Sequence, residues 1–286
     1  MNDKKPWMIV AVLLAVVGAG AYLWLRKPPP ETPLPVAAPP VVPVAPVVAS
    51  VVATPPAVEA PPILHPLDAP PPAQPLPSLD ASDAPLAQLL AGLLGDKPWR
   101  TLFVPEAIIR RIVATVDNLP RQDAPAKMWP VRPAGGWLAT AEEGAALSIA
   151  PENAGRYAAY AAVLRAADMA ALAALYRDFY PLFQQAYVEL GYPQGYFNDR
   201  LIVAIDDLLA TPEPAAPPRL VQEKVRYRFA DADLDRRSAG QKILLRIGVA
   251  HTRLAKQRLA ELRRALTRPT SATPSVINDE KRRPTT

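Results

Sequence analysis

Nineteen of the chain's 37 prolines fall within residues 28–77. Proline fixes φ and removes a backbone donor, so a stretch this dense in it can neither propagate a helix nor join a β-ladder. The segment carries only three charges, Glu31, Glu59 and Asp68. It is expected to be disordered with a polyproline II preference at about 3.1 Å per residue, reaching on the order of 150 Å if fully extended. It therefore reads as a spacer, and His65 within it is assigned no chemistry. With the spacer and both ends set aside, roughly 190 residues remain, enough for one well-buried core.

Upstream, Trp7 to Leu25 is a run of nineteen residues without a charge. As a helix it would span about 28 Å, against ~30 Å for the hydrocarbon core of a bilayer. Trp7, Tyr22 and Trp24 lie near its ends, where amphipathic rings favour the interface. Lys4 and Lys5 precede it; Arg26 and Lys27 follow. Ala19-Gly20-Ala21 has the small-x-small form of a signal-peptide cleavage site. The apolar run continues past it to Leu25, so a single-pass transmembrane helix is the expectation over a cleaved signal. A short tail with two lysines favours the cytoplasm. Bases on both flanks leave the positive-inside rule undecided, but this tail would put the remainder outside the cytoplasm.

The expected organisation is a tail and transmembrane helix over 1–27, a proline-rich linker over 28–78, a globular domain over 79–267 and a disordered basic tail over 268–286. The domain reads as mainly α. Ser82 to Gly95 frames one helix, with Leu86, Leu89, Leu90, Leu93 and Leu94 at helical spacing. Pro105-Glu106 opens a second, with Ile108, Ile109, Ile112, Val113 and Val116 on one face. Trp137–Ala139 and Ala146–Ile149 flank Glu142-Glu143-Gly144 as a small β hairpin. Pro151 suits a first helical turn, and Asp168 a cap. Further helices are expected at about 168–190, 198–210 and 238–266, the last bent at Gly248. Arg219 to Phe229 reads as one strand or extended arm.

Eight of the nineteen aromatic residues crowd into Tyr176 to Phe197. Leu172, Tyr176, Phe179, Tyr180, Phe183, Tyr187 and Leu190 form one helical stripe about 100° wide, the width of a core-facing side. The loop beyond it differs. Asn198 suits a helix N-cap and Asp199 the positive helix end. Tyr192 and Tyr196, beside Asn198, Asp199 and Arg200, could also stack on a sugar and bond its hydroxyls.

Residues Arg236 to Arg268 hold ten bases and one acid, Glu261, a local charge of +9. The bland reading is a solvated outer face. The functional one is an electrostatic seat for an anion, with Arg253, Lys256, Arg263 and Arg264 as contacts. Phospholipid headgroups, cell-wall or lipopolysaccharide anions, or an acidic protein would suit it. Nucleic acid is not expected, because the stretch has no interleaved aromatic platform.

Several chemistries lack their residues. No cysteine means no disulfide, thiol catalysis or cysteine-bound zinc. His251 is the domain's one histidine, and no Gly-x-Ser-x-Gly elbow or phosphate loop accompanies it. Asp231-Ala232-Asp233-Leu234-Asp235 begins like a calcium loop, but Arg236 replaces the required glycine and Lys242 the bidentate glutamate. No cofactor or metal is expected.

Four runs carry a family resemblance: FVPEAIIRRIVATVDNLPR, the stretch Ile149 to Tyr160, LYRDFYPLFQQAYVELGYPQGYFNDRLI and SAGQKILLRIG. They resemble a proteobacterial family, domain of unknown function 3014, over about residues 79–267. The resemblance implies a single-pass envelope protein in the inner membrane of a Gram-negative bacterium, with its C-terminal domain in the periplasm, and supplies no catalytic residues. The resulting expectation is a non-enzymatic, membrane-anchored envelope protein that binds a protein partner or an anionic envelope polymer. The alternative is a cell-wall-active hydrolase or transferase using Asp199, Glu189 or Asp178.

Overall fold

The computed structural model describes residues 61–67, 75–144, 146–224 and 226–267. The apolar run Trp7–Leu25, most of the spacer and the basic tail lie outside the described residues, and so do the expectations made for them. Nine helices appear among the described residues: α1 Asp83–Leu94, α2 Asp96–Leu102, α3 Ile108–Asn118, α4 Ala158–Ala166, α5 Met169–Glu189, α6 Phe197–Leu209, α7 Ala232–Asp235, α8 Ala239–Arg246 and α9 Val249–Thr267. Four short strands accompany them: β1 Thr140–Glu143, β2 Ala146–Ile149, β3 Arg219–Glu223 and β4 Arg226–Phe229. No single described helix is long and apolar enough to cross a membrane. Residues 151–166 and α5 meet that test only together, bent by 81°.

The aromatic stripe is core. Asp168 starts α5 by accepting from the backbone N–H groups of Ala170 and Ala171 at 2.8 and 3.1 Å. From α5, Phe179, Phe183 and Tyr187 are buried against Leu86 of α1 and Ile109, Val113 and Val116 of α3. Tyr176 meets Phe183 edge-on at 5.2 Å, and Phe183 stacks on Phe197 at 5.7 Å. Each such pair adds about 0.5–1.5 kcal/mol beyond its buried area. The stripe ends at Leu190, which is exposed.

The start of α3 is set by tertiary contact. It begins at Ile108 instead of Pro105, because Ala107 takes a left-handed φ of 51°. The Asp83 carboxylate, from the first turn of α1, accepts from Ala107 N at 2.6 Å and Ile108 N at 2.8 Å. That supplies the cap which the local sequence lacks.

The strands form one antiparallel sheet in the order β1-β2-β3-β4, where the sequence suggested one hairpin and a separate arm. The first strand begins at Thr140, beyond the expected Trp137–Ala139, and Arg219 to Phe229 is a second hairpin. Leu147 pairs with Leu220 and Ser148 with Arg219, joining the two hairpins across three intervening helices. Each hairpin turns in two residues, and the first of them has positive φ: Gly144 at 60° and Lys224 at 56°. Ile149, Leu220 and Phe229 bury one face of the sheet against Leu245 of α8.

The helix expected over 238–266 is two helices. Gly248, with φ 92°, separates α8 from α9. A Cβ there would meet the Ala154 Cβ at 3.1 Å, so the break also allows a close approach. The longer α9 packs along α4, α5 and α6. Its Leu266 is buried with Ala173, Ile202 and Ile205, and Leu67 from the 61–67 segment packs against that cluster.

Candidate functional site

The loop from Tyr192 to Arg200 is occupied by its own fold. The α6 helix starts at Phe197 with Tyr196 in the cap position, so Asn198 lies inside the helix and does not cap it. Gln184 supplies the cap, accepting from Phe197 N at 2.9 Å while donating to the Gly195 carbonyl at 2.7 Å. Asn198 is 1 % exposed; it donates to the His65 carbonyl at 2.8 Å and accepts from the Tyr176 hydroxyl at 3.2 Å. Burial pushes that hydroxyl well above its ordinary value, with Tyr180 and Asp199 adding to the shift, so it stays a neutral donor. The Asp199 carboxylate accepts the backbone N–H groups of Leu64 and His65 at 3.0 and 2.7 Å. Thus part of the proline-rich stretch is fastened to the domain by two of the residues named for sugar recognition.

The other residues of that loop serve a buried carboxylate. Asp117 pairs with Arg200 at 3.0 Å and with Arg121 at 2.8 Å. Tyr192 donates to the same carboxylate at 3.2 Å and stacks on Tyr187 at 4.6 Å. Tyr196 is half-buried. The three acids considered for catalysis are not gathered: Asp199 binds backbone, Glu189 pairs with Arg110 at 3.0 Å, and Asp178 is exposed on α5. Among the described residues, no group of three or more histidine or acidic side chains could hold a metal.

The cations of α9 have partners as well. Arg253 and Lys256 share Glu213, each at 2.8 Å, which holds that carboxyl below its ordinary value, Lys256 first and Arg253 second. Lys256 also donates to the Thr211 carbonyl at 3.0 Å, just beyond the end of α6. Arg263 forks onto Asp206 at 2.6 and 3.0 Å. Arg258 binds Glu261 and the carbonyls of Leu164 and Ala167, so it satisfies the end of α4, where partial negative charge collects. Arg264 is exposed and bonds only the Ala260 carbonyl of its own helix.

A different basic surface opens between the β3–β4 hairpin, α8 and the loop of residues 122–134, as a groove of about 970 Å³. Seven cations line it against three carboxylates, a net of +4. Arg228 pairs with Asp235 at 2.6 Å and Glu223 at 3.2 Å, and Arg236 pairs with Asp233. The remaining five are Arg156, Lys224, Arg226, Lys242 and Arg246. None forms an ion pair among the described residues.

The arrangement has a traceable local cause. Ser238 caps α8, accepting from Gln241 N at 3.1 Å, and donates its hydroxyl to Asp207 at 2.6 Å. A Cβ on Gly240 would lie 2.6 Å from Leu208 Cδ2, so glycine lets α8 sit against α6. This seating turns Lys242 and Arg246, one helical turn apart, into the groove. Arg246 is half-buried over the Phe229 ring at 4.8 Å. Its hydrogen bonds are long, 3.4 Å to the Lys242 carbonyl and 3.5 Å to the Tyr227 carbonyl. Lost hydration pulls this guanidinium below its ordinary value, against smaller opposing effects of Tyr157 and Asp235.

The opposite wall is held by Asn153, which is fully buried. It accepts from Ala139 N at 3.1 Å and Arg156 at 3.0 Å, and donates to the Arg246 carbonyl at 2.7 Å. Arg156 in turn grips the carbonyls of Ala134, Gly135 and Gly136 at 2.9–3.3 Å. Trp137 follows directly and is 94 % exposed.

The chain belongs to the family described as Protein of unknown function (DUF3014), which matches residues 108–263. No curated protein and no solved structure matches it. The match contains both walls of the groove.

The residues named from the sequence lie on α9 and in the Tyr192–Arg200 loop, whereas the groove is lined from α8, the β3–β4 hairpin and the 122–134 loop. Lys242 and Arg246 belonged to the counted basic stretch, but Arg156, Lys224 and Arg226 lie 12 or more residues before its start at Arg236 in two cases and 10 in the third. The available signal was the basic hairpin Arg219 to Arg228, which holds four arginines or lysines besides its apolar alternation.

Proposed function

We propose that this protein is a non-enzymatic, membrane-anchored envelope protein whose helical domain binds an anionic envelope polymer in the groove beneath Arg246. The reading rests above all on the five groove cations that lack ion-pair partners among the described residues. A half-buried guanidinium with two long hydrogen bonds and no carboxylate in direct contact among the described residues is costly. A ligand oxyanion would restore both charge balance and short, charge-assisted hydrogen bonds. The five cations come from three separate parts of the chain, Arg156, the β3–β4 hairpin and α8, so the groove suits a ligand that carries several charges. In this reading Trp7–Leu25 anchors the protein in the inner membrane, and the proline-rich spacer carries the domain into the periplasm.

Two experiments test this. A C-terminal alkaline phosphatase fusion is active if the domain is exported, and an inactive fusion overturns the placement. The detergent-solubilised full chain binds long-chain polyphosphate with an affinity that falls as salt rises. Binding that ignores salt, or is unchanged by Arg246→Met, removes the groove from the account.

A further inference from the structure

Trp137 is an indole held almost wholly in water at a fixed place. Its exposure is 94 %, and the turn before it is tied down by three carbonyls on Arg156, a groove-wall residue. The next residue but one is tied too: Ala139 N donates to Asn153 Oδ1 at 3.1 Å, and Leu138 packs on the sheet core. The backbone on both sides of the indole is therefore held, and Trp137 directly follows the Gly136 carbonyl that Arg156 of the groove wall binds at 2.9 Å. Three aromatic residues line the groove itself: Trp129, whose ring N–H is spent on the Ala124 carbonyl, and the tyrosines Tyr157 and Tyr227. No hydrogen bond joins either hydroxyl to another described residue.

We infer that the polymer taken by the groove is an acidic polysaccharide. This rests on the groove reading above and adds the class of ligand. Phosphate or carboxylate alone would satisfy the cations but leave Trp137 in water. A pyranose ring offers what the remaining groups lack: an apolar C–H face for the flat indole and hydroxyls for the two tyrosines. Acid groups along the chain meet Lys242, Arg246 and Arg226, while the apolar C–H face of one ring lies on Trp137. Amphipathic rings with one polar edge serve this pairing because they lose little conformational freedom on binding.

The test uses the full chain in detergent micelles with three probes: polygalacturonate, long-chain polyphosphate and poly-glutamate. Polygalacturonate binds, and Trp137→Ala weakens it about tenfold, the scale of one stacking contact. Trp137→Phe recovers most of the loss. The same Ala variant changes polyphosphate binding by less than about twofold, since it removes no charge. If Trp137→Ala leaves polygalacturonate affinity unchanged while Arg246→Met lowers it, the glycan inference is wrong and the groove reading stands. Equal losses for all three probes also overturn it. So does a Trp137-dependent binding to phosphatidylglycerol vesicles without polygalacturonate binding, because the indole is then a lipid contact. If none of the three polymers binds, the groove reading itself fails. Trp137 is exposed, so its variants leave the fold, and its circular dichroism, intact.

Discussion

The helix α9 and the groove are equally basic and physically opposite. In α9 each long cation except Arg264 finds a carboxylate or a helix-end carbonyl: Arg253 and Lys256 on Glu213, Arg263 on Asp206, Arg258 on Leu164 and Ala167. In the groove, Lys224, Arg226, Lys242 and Arg246 have no carboxylate partner among the described residues, while Arg156 binds three loop carbonyls and Asn153. Local charge density, which is all a sequence displays, does not separate the two. What separates them is where the acids and open helix ends fall in three dimensions. Cations that close internal valences are part of the scaffold; cations that face each other across an opening raise the local potential for an anion.

The comparison breaks first at the scaffold. Asp117→Ala strands Arg200 and Arg121, which are 21 % and 49 % exposed, and losing the buried carboxylate they and Tyr192 share costs about 1–3 kcal/mol. Urea unfolding should show this loss with anion affinity unchanged; a stable Asp117→Ala protein would mean that the network is not structural. Arg258→Ala leaves the last carbonyls of α4 without donors, at about 1–3 kcal/mol, again with binding intact.

Groove substitutions reverse the pattern. Arg246→Met removes a desolvated charge and keeps the packing on Phe229, so stability shifts by less than about 1 kcal/mol. Polyanion affinity falls about tenfold, roughly the value of one charge-assisted contact. A large stability loss with unchanged affinity would place Arg246 in the scaffold.

The smallest effect is a titration. Lys256 and Arg253 hold the Glu213 carboxyl below its ordinary value. A depressed folded value means stability present above the ordinary glutamate range and lost as pH falls through the folded value. In an NMR titration, Lys256→Met should return Glu213 toward its ordinary range, leaving polyphosphate binding at neutral pH as before. A Glu213 titration indifferent to Lys256 would undo the pairing assigned to α9.

Some of this was legible in the chain. The period of Tyr176, Phe179, Phe183 and Tyr187 predicted a core-facing helix, because periodicity is local and burial follows from it. Asp168 read as a cap for the same reason, and it accepts from two backbone N–H groups. The sheet was only half legible. Its strands are four or five residues long, and the contact joining the hairpins pairs Leu147 with Leu220. The second hairpin turns through Lys224 with positive φ, where no glycine or asparagine announces it. Asp199 does lie in the first turn of α6, as expected, and also accepts from the backbone of Leu64 and His65, whereas Asn198, read as a cap, instead donates to the His65 carbonyl. The partners of α9 and the convergence on Arg246 come from residues tens of positions away, and no local pattern encodes such proximity.

The most direct measurement is the salt dependence of polyphosphate binding by the full chain and two triple variants. One neutralises the groove, with Lys224, Arg226 and Lys242 each changed to Gln; the other neutralises α9, with Arg253, Arg263 and Arg264 each changed to Gln. Each phosphate-contacting cation contributes about one to the slope of log affinity against log salt. The account predicts a slope shallower by about three for the groove variant and an unchanged slope for the α9 variant. A shallower slope for the α9 variant, with the groove variant matching the parent chain, would contradict it.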